Sequence, residues 1–245
     1  MLNRQRGNMY HWVTHTWNPI KGRCPHECAY CYMKRYWDRL KEPHLDEKSL
    51  KDNLGCGNVI FVGSSIDMWA DEIPDEWIVK ILDYLNTYPD NIYLFQSKNP
   101  HRFALYFQDF PPNVILGTTI ETNRNIENIT KAPSPVNRYT HMLNDFPRKM
   151  VSIEPIMDFD LDEMVRWIED IQPTFVSIGA DSKGNNLPEP SPHKINLLIE
   201  ELNKITEVKI KKNLRRLIKN EESEERRQNI GKADKIVCQS SRTRI

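Results

Sequence analysis

A short β-branched or aromatic run that ends in polar residues, followed by a helix-like stretch, recurs six or seven times along this 245-residue chain. That alternation constrains the fold more than any other feature. The first run is Met9–Val13. Val59-Ile60-Phe61-Val62 follows and ends in Gly63-Ser64-Ser65-Ile66-Asp67. Ile92-Tyr93-Leu94-Phe95 ends in Gln96-Ser97-Lys98-Asn99, and Val114-Ile115-Leu116 continues through Gly117 to Glu121. Met150-Val151-Ser152-Ile153 ends in Glu154-Pro155, Phe175-Val176-Ser177-Ile178 ends in Gly179-Ala180-Asp181, and a weaker run, Val208-Lys209-Ile210, comes last. Near-continuous apolar runs suit parallel strands buried on both faces.

The intervening segments carry helical spacing. Trp77, Ile81, Leu82 and Leu85 form one stripe, and Leu161, Met164, Val165 and Ile168 another, which Asp160 is placed to cap; Leu197, Leu198 and Leu202 mark a third. Strand–helix alternation of this kind predicts an α/β fold with a parallel sheet, and six or seven units favour a barrel or partial barrel. No linker splits the chain. Residues 1–205 read as the barrel, and 206–245 as a C-terminal strand, basic segment and charged tail, in the same domain or as an extension. Between Glu207 and Lys219, six cations (Lys209, Lys211, Lys212, Arg215, Arg216 and Lys219) face one acid, and Glu221–Arg227 mixes both signs.

Bulk properties exclude several classes. No apolar run approaches the roughly 20 residues that span a bilayer, and Met1–Arg6 is not followed by a signal-peptide core. A formal net charge of zero gives no general attraction to nucleic acid. Five cysteines, three of them clustered, do not suit a small secreted disulfide framework. Reduced, metal-binding thiols in the cytoplasm are the better reading.

The clustered thiols lie in Cys24-Pro25-His26-Glu27-Cys28-Ala29-Tyr30-Cys31, spaced CxxxCxxC. Three sulfur ligands in one loop suit an iron–sulfur cluster with one open iron, where chemistry can occur. A zinc site completed by His26 or His44, and a chance grouping of thiols, are the alternatives.

The loop resembles the CxxxCx-aromatic-C signature of the radical S-adenosylmethionine (radical SAM) superfamily. Thr16-Trp17-Asn18-Pro19, Ser152-Ile153-Glu154-Pro155 and Lys211-Lys212-Asn213 resemble an uncharacterised phage-associated branch of it, over roughly residues 10 to 215. There is a weaker likeness to spore photoproduct lyase. The resemblance implies a partial parallel (β/α)6 TIM-like barrel with the cysteine loop after its first strand. It also implies a [4Fe–4S] cluster on Cys24, Cys28 and Cys31, with SAM on the open iron. Reductive cleavage of SAM would give methionine and a 5′-deoxyadenosyl radical, with an electron donor such as flavodoxin or ferredoxin as partner.

In α/β barrels the site lies at the carboxyl ends of the strands. The resemblance places the backbone near Tyr30 on adenine. Gly63-Ser64-Ser65 stands where many relatives carry a Gly-Gly-Glu-like segment for the SAM amino group, so Ser64, Ser65 or Asp67 is expected to substitute. Lys98, Asn99, Thr119, Glu121, Glu154 and Asp181 end the later strands. Glu121 is placed for ribose hydroxyls, and a salt bridge to Lys98 or Lys212 is the structural alternative for these carboxylates. Trp17 and Trp69 are expected to wall the site, and Cys56 and Cys238 are candidate hydrogen donors to a product radical. The basic segment points to nucleic acid as substrate, for modification or repair. A peptide or small metabolite, or a non-enzymatic zinc or nucleic-acid-binding module, is the alternative.

Overall fold

A computed structural model describes residues 1–6 and 9–218. Cys238, Lys219 and the mixed-charge stretch Glu221–Arg227 lie outside the described residues. The elements run β1 (Asn3–Arg4), β2 (His15–Trp17), β3 (Ile20–Lys21), a 3-10 helix (Tyr32–Arg39), β4 (His44–Leu45) and β5 (Val59–Val62). They continue as α1 (Asp75–Asn86), β6 (Ile92–Ser97), α2 (His101–Leu105), β7 (Val114–Thr119), α3 (Pro135–Met142), β8 (Lys149–Ile153), α4 (Leu161–Ile171), β9 (Phe175–Ile178), α5 (Pro192–Asn203) and β10 (Glu207–Ile210).

The fold is mixed α/β with a mostly parallel sheet. Its strand order is β1-β2-β5-β6-β7-β8-β9-β10, and only β1 runs antiparallel, against β2. β3 and β4 form a separate small ribbon. Because β10 pairs in parallel with β9, the weakest run in the sequence is an integral edge strand. No helix among the described residues is long and apolar enough to cross a membrane.

The two faces of the sheet are filled differently. Ile60, Val62, Tyr93, Phe95, Leu116, Val151, Ile153, Val176 and Ile178 face the helices in the main core. Their sequence neighbours Phe61, Leu94, Ile115, Met150 and Phe175 face the other way, one from each of β5 to β9. Tyr10 and Val13 join that second cluster. Met9–Val13 is therefore not the first strand that its composition predicts. It is a turn-containing segment that fills the face opposite the helices, and the first parallel strand is His15–Trp17. Trp12 stacks on Tyr10 and meets Phe175 edge-on at 5.1 Å, so the apolar content of the run is satisfied by packing rather than pairing.

Asp160 stands at the N-cap of α4 but makes no capping bond, because its carboxylate is drawn to Arg124. The cap bonds that do form are those of Ser134 on α3 and Ser191 on α5, each followed by proline.

Candidate active site at the carboxyl ends of the strands

Along the inner face of the sheet, polarity rises toward the carboxyl ends. Above the apolar layer, Gln96, Thr119 and Ser152 point inward; Lys98 and Glu154 follow two residues after Gln96 and Ser152, and Lys211 joins them from the end of β10. This is the period-2 alternation of a strand, in which residues i and i+2 share a face. The polar layer is cross-linked. The Tyr10 hydroxyl donates to Gln96 Oε1 at 2.7 Å and lies 2.9 Å from Ser152 Oγ, while Gln96 Nε2 donates to Thr119 Oγ1 at 2.9 Å. Burial and the charge of Glu154 push the Tyr10 phenol upward, so it stays a neutral donor.

Above these residues opens a cavity of about 600 Å³, within the usual range for small-molecule sites. Cys24, Cys28 and Cys31 all line it. The loop is strapped from one side by residues 129–131. Ala29 N donates to Ile129 O at 2.7 Å, Lys131 N to His26 O at 2.8 Å, and Thr130 Oγ1 lies 3.2 Å from Cys28 Sγ. From the other side, His26 Nε2 donates to Asp67 Oδ2 at 2.9 Å. His26 is 5% exposed, and its Nε2 bond to Asp67 fixes the imidazole and leaves Nδ1 as its other ring nitrogen. His44 is exposed, on the small ribbon, and does not line the cavity.

Burial first, then the charge of Asp67, pushes the Cys24 thiol up to about 12; burial also raises Cys31. With no metal bound, Cys24 and Cys31 keep their protons. A cationic iron–sulfur cluster would displace those protons and offset the desolvation. No three His, Cys, Asp or Glu side chains among the described residues stand as a preformed cage for a single metal ion. A three-cysteine cluster asks for something different: each sulfur binds its own iron, so the sulfurs surround a shared space rather than converge on one point. Three thiols and no committed fourth ligand around one cavity fit that donor set.

The structure sorts the residues that the sequence brings forward. Ser64, Ser65, Asp67, Lys98, Thr119, Glu154, Asp181 and Tyr30 line the cavity. Asp67 is also the hub of its wall. Its carboxylate accepts from His26, from Ser97 Oγ at 3.0 Å, and from the backbone N–H groups of Lys98 (2.8 Å) and Trp69 (3.0 Å). Ser64 Oγ and Ser65 N donate to Asn18 Oδ1, which gives the Thr16-Trp17-Asn18-Pro19 motif a role: it shapes the turn after β5. Glu154 accepts from Lys211 Nζ at 2.6 Å and Asn213 Nδ2 at 3.0 Å. Asp181 accepts from the N–H groups of Lys183 and Asn185 and so folds the loop that follows it.

Glu121 and Asn99 stand behind the cavity wall. Glu121 is 3% exposed, and its carboxylate is held by Arg138 Nη1 at 2.6 Å, by the Tyr30 hydroxyl and by Lys98 Nζ at 3.7 Å. This is the salt-bridge alternative, with Lys98 as expected and Arg138 added. Asn99 Nδ2 donates to Trp69 O and Asp71 Oδ1. Trp17 and Trp69 are fully buried in the main core, not in the cavity wall; Trp17 Nε1 reaches Asp52, and Trp69 packs edge-on to Phe95 and Phe103. Cys56 is exposed and precedes β5, at the opposite end of the sheet from the cavity. A hydrogen donor must touch the product radical, and Cys56 stands away from any such contact.

Sequence reading by runs missed Tyr10, Gln96, Ser152, Lys211 and Arg138. Gln96 and Ser152 were within reach. Ser152 lies two residues before Glu154 and Gln96 two before Lys98, on the same face. Arg138 had no such signal, because its partner is 17 residues away in a different element.

Gly179 lies against the Glu154 carboxylate. A Cβ there would stand 2.6 Å from Glu154 Oε1 and 2.7 Å from its Cδ. Gly179→Ala is expected to destabilise the fold by about 1–3 kcal/mol through overpacking. Shortening the carboxylate in Glu154→Asp should relieve part of that cost. A double-mutant cycle read by chemical denaturation checks it: additive effects would show that the two do not meet.

A family model described as "Protein of unknown function (DUF5131)" matches residues 8–168. No curated protein matches the chain by sequence. Among solved structures, spore photoproduct lyase with bound AdoMet and dinucleoside spore photoproduct is similar with a TM-score of 0.56 and 11% identity, covering 82% of this chain and 64% of that one. The same enzyme complexed with dinucleoside spore photoproduct gives 0.55 and 10%, again covering 82% and 64%. A mutant of it gives 0.59 and 10%, covering 84% and 78%. The likeness is one of fold, and the chain spans under two thirds of the length of the first two.

Proposed function

We propose that this chain, which belongs to the DUF5131 family, is a radical SAM enzyme whose parallel sheet forms a partial barrel and whose substrate is nucleic acid. The observation that carries the reading is the convergence of Cys24, Cys28 and Cys31 on the one cavity that also receives Glu154, Lys98 and the Ser64–Ser65 turn. A fold similar to spore photoproduct lyase supports it.

Cys24, Cys28 and Cys31 would hold a [4Fe–4S] cluster. Bound there with SAM, it would supply the electron whose transfer to the sulfonium gives methionine and a 5′-deoxyadenosyl radical. The chain's own groups bind and orient. Asp67 and Glu121 are committed to internal partners, so contacts to SAM fall to Ser64, Ser65, Thr119, Glu154 and the backbone near Tyr30. Glu154 offers a carboxylate to a cationic or hydroxyl-bearing ligand, fixed from behind by Lys211 and Asn213. Lys98 stays protonated: burial lowers it, but the negative groups around it, among them Glu121 at 3.7 Å, outweigh burial, so its ammonium faces the cavity as a fixed cation. A one-electron donor such as flavodoxin or ferredoxin would serve from outside.

For the substrate, the basic C-terminal segment contributes less than its composition suggests. Lys209 pairs with Glu207, Lys211 with Glu154, and Arg216 with Glu189. Cations at the cavity mouth carry the case instead: Arg35 and Lys183 are exposed, line the cavity, and form no ion pair among the described residues. Anaerobic reconstitution tests the metal assignment. A brown protein with about four irons per chain is expected, with Cys24→Ala, Cys28→Ala and Cys31→Ala each losing most of that iron. One colourless zinc per chain would overturn it.

A further inference from the structure

The 3-10 helix Tyr32–Arg39 begins directly after Cys31, and none of its eight residues is buried. Such an element gains almost nothing from the core, yet it carries two exposed aromatic rings, Tyr32 at 44% and Tyr36 at 38%. It also carries Lys34, Arg35 and Arg39 against one acid, Asp38. None of these three cations forms an ion pair among the described residues. The Arg35 guanidinium lies 4.6 Å from the centroid of the Tyr36 ring. Tyr32 and Arg35 line the cavity, and the Tyr32 hydroxyl donates to Ser64 O at 3.1 Å, which fixes its ring beside the turn after β5. At the far end, Arg23 reaches Trp37 O at 3.3 Å and lies over the Trp37 ring, so the helix is anchored at both ends.

We infer that this helix is a docking platform for a single strand of nucleic acid, leading an unpaired nucleotide toward the cavity. Exposed aromatic faces interleaved with cations match the chemistry of an unstacked strand: bases stack on the rings and phosphates meet the cations. A duplex keeps its base faces covered and gains nothing from Tyr32 and Tyr36. The inference rests on the nucleic-acid reading above and specifies its form and footprint.

The test is fluorescence anisotropy of the anaerobic, cluster-loaded protein with a labelled oligothymidylate of about 12 nucleotides, within the span such sites cover. The same strand annealed to its complement serves as the duplex, and titrations run at about 50 and about 200 mM salt. The single strand should bind more tightly than the duplex. Tyr36→Ala should weaken it about tenfold and Tyr36→Trp should restore it, as stacking requires. The triple variant Lys34→Gln/Arg35→Gln/Arg39→Gln should flatten the salt dependence by about 0.7 in log–log slope for each phosphate that is no longer neutralised. All these positions are exposed, and iron content reports whether the neighbouring cluster loop is intact. If the wild type binds the oligonucleotide but Tyr36→Ala and the triple variant bind it equally well, or if duplex is preferred, the platform is overturned while the nucleic-acid reading stands. If neither form binds at low salt, the nucleic-acid reading falls and takes the platform with it; cluster assembly and SAM cleavage, measured separately, are untouched by that result.

Discussion

Glu121→Ala should destabilise the protein by about 3–5 kcal/mol, the usual cost of stripping one partner from a buried ion pair. Arg138, at 1% exposure, would be left as a buried guanidinium with, among the described residues, the carbonyls of Thr119 and Pro133 to meet it, and the Tyr30 hydroxyl would lose its acceptor. For a chain of this size such a loss lowers the melting temperature by roughly 10 °C. Glu121→Gln keeps the shape and removes the charge, which separates electrostatics from packing. Burial alone would raise the Glu121 carboxyl, but Arg138, Lys98 and the Tyr30 hydroxyl hold it below the ordinary range. In the unfolded chain it returns to an ordinary value of about 4.3. Its stabilisation is therefore complete above that unfolded value and is lost as pH falls through the lower folded value. Wild-type stability should decline across this acid window, and Glu121→Gln should show a shallower decline from a lower starting point. Denaturant titrations from pH 3 to 7 check both; parallel curves for the two proteins would contradict the assignment.

Asp67→Ala should act on stability and on metal loading together. Its carboxylate accepts four hydrogen bonds, one of them from His26, which lies between two of the three cysteines. Without it, four donors in a largely buried wall lose their acceptor, at about 1–3 kcal/mol for each that water cannot reach. Released from Asp67, the Cys24–Cys28 turn keeps only the strap from residues 129–131. Iron content after anaerobic reconstitution should fall by more than half, whereas Asp67→Asn, which retains an acceptor oxygen, should load an intermediate amount. Full iron loading in Asp67→Ala would show that the strap alone sets the loop.

Much of this arrangement was legible in the sequence, for a definable reason. Parallel strands buried on both faces read as apolar runs, and β5 through β10 were found at or within a few residues of their observed bounds. The first run misled because Met9–Val13 has a strand's composition but spends it on side-chain packing under the sheet. The cysteine loop was found because its spacing is local. What escaped was long-range pairing: the Arg138–Glu121 bridge, the His26–Asp67 clamp and the Lys211–Glu154 bond each join residues that sequence distance hides. Those pairings decide which carboxylates remain for a ligand, so strand-end position alone put Glu121 and Glu154 on equal terms. The structure separates them, the first sealed behind the wall and the second facing the cavity. By the same logic the basic C-terminal segment looked like a footprint until three of its cations proved to be paired.

Reduction of the reconstituted protein in the presence of SAM tests the central claim most directly. In a radical SAM enzyme the reduced cluster's electron paramagnetic resonance signal should shift when SAM is added, and 5′-deoxyadenosine and methionine should form. Both should be absent from the Cys28→Ala protein. A cluster that reduces normally but whose signal ignores SAM, with no 5′-deoxyadenosine formed, would contradict it.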